Sequence, residues 1–250
     1  MPKPEPAGPP AGRSGPGGPG MASSTALPVQ HLVVRYAKRG KMRFASHRDV
    51  ARAFERGVRR AGVPIAYSAG FTPHPKISYA GGVPTGVASE AEYLSLALTT
   101  WTEAATVLQR LNAALPDGIE VIDDTEDAGG LPASRLVASE WQVVLPGLRP
   151  EAVAPAVQEF LALEHAEVER LTNKGMRRMD ARLAVVSIDV DAAPTGDAAL
   201  RMIVKHTVPA VRPDDVLTAL RKLSDVTLDA PPLMTRLAQG SISESGVVMP

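Results

Sequence analysis

The spacing of apolar residues over positions 29–122 predicts a definite order of strands and helices. Apolar side chains alternate over residues 31–36 and 92–98, which is typical of half-buried strands. A helical spacing over 47–61 and 102–114 places the apolar side chains of each segment on one face. With short extended segments at 65–67, 77–79 and 119–122, the order becomes strand, helix, strand, strand, helix, strand, which is that of the ferredoxin-like fold.

A similar order of elements follows residue 138. Strands are predicted at 141–145, 166–171, 182–190 and 199–207, and helices at 149–163 and 214–223. The sequence therefore predicts an α+β protein of two ferredoxin-like (βαββαβ) halves packed together. We divide the chain into a tail (1–27), a first half (28–126), an acidic, glycine-containing linker (127–138), a second half (139–237) and a second tail (238–250).

The first 27 residues consist mainly of Pro, Gly, Ala and Ser. Such a segment buries too little apolar surface to offset the entropy lost on ordering, so we expect it to be disordered. Met21 lies within it, and translation could begin at either Met1 or Met21.

The composition excludes several kinds of site. The chain has no cysteine, so it supplies no disulfide, no thiolate nucleophile and no cysteine ligand for an iron–sulfur cluster. Its five histidines never stand at the HxxxH spacing of zinc sites, and no phosphate-binding glycine motif is present. No apolar run reaches the roughly 18 residues that span a bilayer, and no secretory signal is visible. We expect a cytoplasmic protein that holds no metal or cofactor and does not enter a membrane.

Ten basic residues and only two acidic ones lie between Arg35 and Arg60. On the helix predicted over 47–61, four arginines fall within about 80° of one another, roughly opposite the apolar face. This arginine row consists of Arg48, Arg52, Arg56 and Arg59. A row of guanidinium groups suits a phosphate backbone, and Arg43 and His47, just before it, are further candidates for nucleic-acid contact. The alternative is an ordinary solvated helix face.

A second basic cluster follows the strand predicted at 166–171. Lys174, Arg177 and Arg178 are expected in a loop that could grip phosphate, although a solvated turn explains them equally well. We hypothesise that this cluster and the arginine row flank one cleft and form a single phosphate-tracking surface across the two halves.

The segment 70–76 contains two prolines around His74, which stiffen it and reduce the entropy lost on binding. His74 and Lys76 could contact phosphate, while Phe71 and the preceding Tyr67 could stack on an unpaired base. The alternative is that Phe71 fills the core and His74 is an ordinary loop histidine. A further alternative is catalysis, because a pair such as His47 and His74 could cleave RNA by general acid–base chemistry if the fold brings them together.

Several segments together resemble a known family, the radical-SAM-linked domain of unknown function. The likeness extends over about residues 30–240 and is carried by segments 44–49, 59–64, 67–78 and 86–93. Arg48 and Thr72 depart from the family pattern, in which an aliphatic residue and an asparagine are usual. Members are fused behind a radical SAM protein or encoded beside one, so the resemblance implies a separately encoded radical SAM partner. It implies no catalytic residue, because the family has no established activity to transfer.

These observations favour an accessory module rather than an enzyme. We expect the chain to serve a radical SAM enzyme and to bind structured RNA, either rRNA or tRNA, through the basic helix and the His74 segment. One alternative is a protein–protein adaptor for that partner without nucleic acid. Another is a metal-free endoribonuclease that uses His47 and His74.

Overall fold

A computed structural model describes residues 27–126, 133–172, 175–224, 227–243 and 246–248. The tail expected to be disordered lies outside these residues, except for Leu27. Lys174 and residues 127–132, half of the expected linker, also lie outside the described residues. No helix in the described part of the chain is long and apolar enough to cross a bilayer.

The described elements confirm an α+β fold. In chain order, the first half contains β1 (Gln30–Lys38), α1 (His47–Arg60), β2 (Ile77–Ala80), β3 (Ala88–Leu98), α2 (Ala104–Ala114) and β4 (Ile119–Glu126). Its strands lie in the order β4-β1-β3-β2, and each neighbouring pair is antiparallel. This order and the βαββαβ connection are those of a ferredoxin-like unit.

The second half repeats this arrangement with an insertion. It contains β5 (Ala138–Leu145), α3 (Pro150–Ala162), β6 (Glu167–Thr172), β7 (Gly175–Asp180), α4 (Ala181–Ala184), β8 (Val185–Ala192), β9 (Ala198–Lys205), α5 (Pro213–Lys222), β10 (Leu233–Ser243) and β11 (Gly246–Val248). The strand order β10-β5-β9-β8 matches that of the first half. β6 and β7 form a separate two-stranded sheet, and β11 pairs with β10.

One continuous sheet joins the halves, because β10 is antiparallel to β5 and parallel to β3. Arg236 of β10 pairs with Ser89 of β3 and with Trp141 of β5, so these three side chains point to one face. Trp141 packs into the core under α3 and α5. Ser89 lies opposite Lys38 of β1. Tyr36 of the same strand points to the same face as Lys38 and packs in the core under α1 and α2. The four longer helices, α1, α2, α3 and α5, therefore cover the same face of the sheet.

The opposite face of the sheet, which we call the open face, is covered in part by the segment before β5. Leu136 of this segment packs there against three buried side chains of β1 and β3, namely Val33, Ala91 and Tyr93. The open face of the first half is left accessible farther along β1 and β3, towards β2.

The prediction of a tail from residue 238 is wrong for residues 238–243, which belong to the central strand β10. The strand was missed because polar residues interrupt its apolar alternation. Arg236 and Gln239 are both buried in this strand, where they hydrogen-bond to each other. A strand with polar residues at buried positions lacks the alternation of apolar and polar residues by which a strand is predicted from sequence.

Three local predictions also differ from the structure. Arg177 and Arg178, expected in a loop, lie on strand β7, which pairs with β6. Residues 65–67, expected as a strand, make only two isolated bridges, Ile65 with Leu98 and Tyr67 with Pro75. The strand expected from residue 182 begins at Val185, because Asp180 accepts the N–H groups of Arg182 and Leu183 and caps the short helix α4.

Candidate nucleic-acid interface

Helix α1 begins at a capping box formed by Ser46 and Asp49. The Asp49 N–H donates to Ser46 Oγ at 3.3 Å, and the Ser46 N–H donates to Asp49 Oδ2 at 3.1 Å. The Ser46 hydroxyl donates to the same carboxylate at 2.6 Å, and these bonds lower the pKa of Asp49. The one acidic side chain in the first turn is thus hydrogen-bonded at the helix terminus, and the nearby charges of Arg52 and Arg56 act on it without forming an ion pair among the described residues.

The arginine row lies on the solvent side of α1. All four side chains are exposed, including Arg48, while the opposite face buries Val50, Ala53, Phe54, Gly57 and Val58. Within the described residues, none of the four arginines makes a hydrogen bond or an ion pair. Other arginines of the chain are engaged: Arg35 binds Asp123 at 2.6 Å, and Arg39 binds Glu90 and Glu120. The departure of Arg48 from the family pattern therefore adds a surface charge and leaves the core unchanged.

Arg43 and Phe44 extend this surface before α1. Arg43 Nε donates to the Gly86 carbonyl at 2.7 Å, and its guanidinium carbon lies 5.6 Å from the centroid of the Phe44 ring. The Phe44 side chain is 66% exposed. Sequence reasoning did not single out Phe44, although it opens the first segment of the family resemblance.

His47 is exposed at the start of α1 but is held by ring contacts. Its imidazole lies 5.3 Å from the Tyr79 ring at an interplanar angle of 74°. A Cβ atom at Gly82 would stand 3.3 Å from His47 Cδ2, so the loop after β2 passes close to the imidazole. The glycine thus allows this loop to pack against His47.

The segment 68–76, which we call the His74 loop, is closed by backbone hydrogen bonds. The Ser68 N–H donates to the His74 carbonyl at 2.9 Å, and the His74 N–H donates to Ser68 Oγ at 3.0 Å. Phe71 at its tip is fully exposed, so the alternative that this ring fills the core is wrong. Tyr67 is half-buried beside the loop, whereas His74 and Lys76 are exposed.

His74 and Lys76 line a cavity on the open face of the sheet, away from α1. His31 lines the same cavity and pairs with Ala97 across β1 and β3. Because the neighbouring Leu32 and Leu96 point into the core under α1 and α2, His31 and Ala97 must point to the open face. The His74 loop and the arginine row therefore occupy different faces of the first half.

The two histidines considered for catalysis are placed in different surroundings. His47 contacts Tyr79 on the helix side of the sheet, while His74 borders the cavity on the open face. No hydrogen bond or ring contact joins them in the described part of the chain. This arrangement offers no support for a general acid–base pair.

The second basic cluster lies on the β6–β7 hairpin. Arg177 and Arg178 are exposed on β7, and Arg178 Nε donates to Glu169 Oε1 at 2.7 Å. One of the two exposed arginines of this cluster thus already pairs with a carboxylate. The hairpin packs against α5, where the carbonyl of Glu167 accepts from Lys222 Nζ at 3.0 Å. The single surface joining this cluster to the arginine row stays a prediction.

A buried polar network lies at the seam between the halves. Arg236 donates to Glu92 Oε1 at 2.6 Å, to Gln239 Oε1 at 2.7 Å and to the Gly81 carbonyl. Its guanidinium carbon also lies 5.7 Å from the Trp141 ring centroid. Lys38 is buried nearby, and burial lowers its pKa against the opposing effect of Glu92. Two basic groups and one carboxylate thus share the interior of the seam.

Comparisons with known proteins match this chain to a family and find similar solved chains. Residues 31–213 match the model of a family described as an uncharacterized protein conserved in bacteria, DUF2344. A comparison with curated proteins finds no match. A similar solved chain occurs in the crystal structure of a Cbf5–Nop10–Gar1 complex, with 12% sequence identity and a TM-score of 0.44. That alignment covers 84% of this chain and 49% of the other, so this chain spans about half the other's length.

Proposed function

The chain belongs to the family described as an uncharacterized protein conserved in bacteria, DUF2344, and for this member we propose that it binds structured RNA, either rRNA or tRNA. The arginine row of α1 would contact the phosphate backbone. The observation that carries the proposal is the contrast among arginines, since the row is exposed and unpaired within the described residues while Arg35, Arg39 and Arg178 are held by carboxylates.

The geometry of α1 suits a phosphate backbone. Arg48, Arg52 and Arg56 rise by about 6 Å per step along the helix axis, and Arg59 lies between them in angle. Asp49 is hydrogen-bonded at the cap, and its carboxylate forms no ion pair with these arginines among the described residues. The buried face of α1 holds the helix rigidly on the sheet, so little backbone entropy is lost when the guanidinium groups bind.

Exposed aromatic rings supply a second type of RNA contact. Phe44 lies beside Arg43 just before α1, and a base could stack on its ring. Phe71 projects fully into solvent from the His74 loop and offers another stacking surface. Because the loop borders the open face, an RNA that contacts both regions would have to pass around the edge of the first half.

We also propose that the chain acts as an accessory of a separately encoded radical SAM protein. The support is the resemblance of segments 44–49, 59–64, 67–78 and 86–93 to a domain that is fused to or encoded beside such proteins. The chain has no cysteine, so the partner would supply every cysteine ligand of the cluster. Co-purification of the two proteins from cells that express both would support this partnership, and independent elution under gentle conditions would contradict it.

RNA binding is tested by fluorescence anisotropy with purified tRNA and rRNA fragments. The Arg52→Gln/Arg56→Gln variant removes two charges from the row, and Arg221→Gln removes an exposed arginine in the last turn of α5 as the matched control. We expect the double variant to bind at least about tenfold more weakly and the control to bind like wild type. Equal binding by all three proteins would rule out the arginine row as the interface. If the wild type binds no RNA while the row is needed to retain the partner protein, the adaptor function replaces this proposal.

A further inference from the structure

A cavity of about 420 Å³ lies on the open face of the first half. Three adjacent strands form its floor, with β1 and β2 on either side of β3. The His74 loop forms one wall. The lining residues include two histidines, one lysine, three serines and no carboxylate, the polar ones being His31, His74, Lys76, Ser68, Ser78 and Ser95.

We propose that this cavity binds the phosphate group of a phosphorylated ligand, such as a nucleoside monophosphate or the terminal phosphate of an oligonucleotide. Imidazole N–H groups, an ammonium group and hydroxyls all donate hydrogen bonds to phosphate oxygens. The cavity is independent of the arginine row, because it lies on the other face of the sheet and shares no residue with that row.

Strand pairing places these donors side by side. Ser78 of β2 pairs with Ser95 of β3, and His31 of β1 pairs with Ala97 of β3. Paired residues point to the same face, so hydroxyl and imidazole groups meet on the open face. The Ala97 N–H donates to the Lys76 carbonyl at 3.2 Å, which fixes the backbone of Lys76 at the edge of the same patch.

Ser95 offers a free donor on the floor of the cavity. Only 6% of the residue is exposed, and its hydroxyl makes no hydrogen bond within the described residues. The hydroxyl oxygen is not one of the fully buried polar atoms, so it reaches the cavity and is free to donate to a ligand. A phosphate oxygen in the cavity would accept this hydrogen bond, and the pairing with Ser78 directs the Ser95 side chain towards it.

The His74 loop is preorganised for this role. Reciprocal hydrogen bonds between Ser68 and His74 close the loop, and the bridge between Tyr67 and Pro75 anchors its base. Pro75 is buried and fixes the backbone between the two basic side chains. The backbone that carries His74 and Lys76 is therefore fixed before the ligand binds, which reduces the entropy lost on binding.

The test is a titration of the full chain with inorganic phosphate, adenosine 5′-monophosphate and a short oligoribonucleotide with or without a 5′-phosphate. Binding is followed by calorimetry and by the imidazole NMR signals of His31 and His74, with His165 as an internal reference that lies outside the cavity. We expect the His31 and His74 signals to move with at least one phosphate-bearing probe. A response to the mononucleotide identifies a free ligand, whereas a response only to the 5′-phosphorylated oligonucleotide identifies an RNA end.

Two variants localise the site. Lys76→Ala removes the ammonium group and Ser95→Ala removes the unpartnered hydroxyl, which no protein contact requires for folding. We expect Lys76→Ala to weaken binding by about tenfold or more. Lys41→Ala, an exposed lysine before α1, and Arg221→Gln should bind these probes like wild type. The proposal is overturned if no phosphate-bearing probe moves either histidine signal, if the oligonucleotide without its 5′-phosphate moves these signals equally, or if Lys76→Ala and Ser95→Ala leave the response of the histidine signals unchanged.

Discussion

Arg236 and Glu92 form a buried ion pair between the two halves, with 2.6 Å from Arg236 Nη2 to Glu92 Oε1 and with 5% and 3% of their side chains exposed. β10 and β3 pair at only two positions, Thr235 with Ala88 and Arg236 with Ser89. The ion pair therefore supplements a short stretch of parallel pairing. Because the Gly81 carbonyl accepts from the same guanidinium, the network also ties the loop after β2 to the second half.

Glu92→Gln should destabilise the protein strongly. The substitution leaves Arg236 and Lys38 buried without a carboxylate, and breaking a buried pair typically costs about 3–5 kcal/mol. Urea unfolding measures the change. Arg178→Gln is the matched control, because its ion pair with Glu169 is exposed to solvent and should contribute little to stability. Similar losses in the two variants would show that the seam pair contributes no more than a surface pair.

Much of the first half follows from local sequence signals. Ser46 and Asp49 stand at capping-box spacing, and α1 indeed begins at His47 and ends at Arg60, one residue before the expected end. The seam could not be predicted in this way, because Glu92, Arg236 and Gln239 are polar residues whose burial depends on contacts between distant parts of the chain. His31 and Ser95 were missed as cavity residues for the same reason, since only strand pairing brings them beside His74.

The protein should lose stability in alkaline solution through its buried tyrosines. Burial raises the pKa of Tyr36, Tyr79 and Tyr93 above the ordinary value of 10.0, and for Tyr93 to about 12. Above pH 10 the unfolded chain releases phenolic protons that the folded chain retains, so the free energy of unfolding falls as pH rises. Lys38 has the opposite effect on the free energy of unfolding, because burial lowers its pKa in the folded state. This effect is confined to pH values below its ordinary pKa of 10.5.

Urea unfolding at a series of pH values checks this behaviour. We expect a decline above about pH 10.5 that is shallower in Tyr79→Phe than in wild type, because that variant lacks one of the retained protons. A free energy of unfolding that stays constant or rises above this pH would contradict the expectation.

At neutral pH, Tyr79→Phe should be neutral or slightly stabilising. The Tyr79 hydroxyl is buried without a hydrogen-bond partner among the described residues, so its removal relieves a desolvation cost. Tyr93→Phe is the contrasting variant, because the Tyr93 hydroxyl donates to the Gln239 carbonyl at 3.3 Å and its loss should cost about 0.5–1.5 kcal/mol. Thermal unfolding of both variants provides the comparison, and a larger loss in Tyr79→Phe would mean that its hydroxyl has a partner in solution.

Phe71→Ala should leave the stability of the free protein within about 0.5 kcal/mol of wild type, because the ring is fully exposed. Phe54→Ala should cost about 3–5 kcal/mol, since Phe54 is fully buried and contacts Tyr36 with 4.8 Å between ring centroids. Chemical unfolding separates these two cases. A large loss in Phe71→Ala would place this ring in a structural role and remove it as a candidate for base stacking.

The salt dependence of RNA binding tests the central claim most directly. Each phosphate contact adds about 0.7–0.9 to the magnitude of the slope of log affinity against log salt concentration. The four contacts of the arginine row should therefore contribute about 3 to this magnitude. The measurement compares wild type with the variant in which Arg48, Arg52, Arg56 and Arg59 are all glutamine, on the same tRNA. We expect the wild-type affinity to fall steeply with salt and the variant to show a slope smaller by about 3. The same slope in both proteins, or no wild-type affinity for RNA at low salt, would contradict the proposed function.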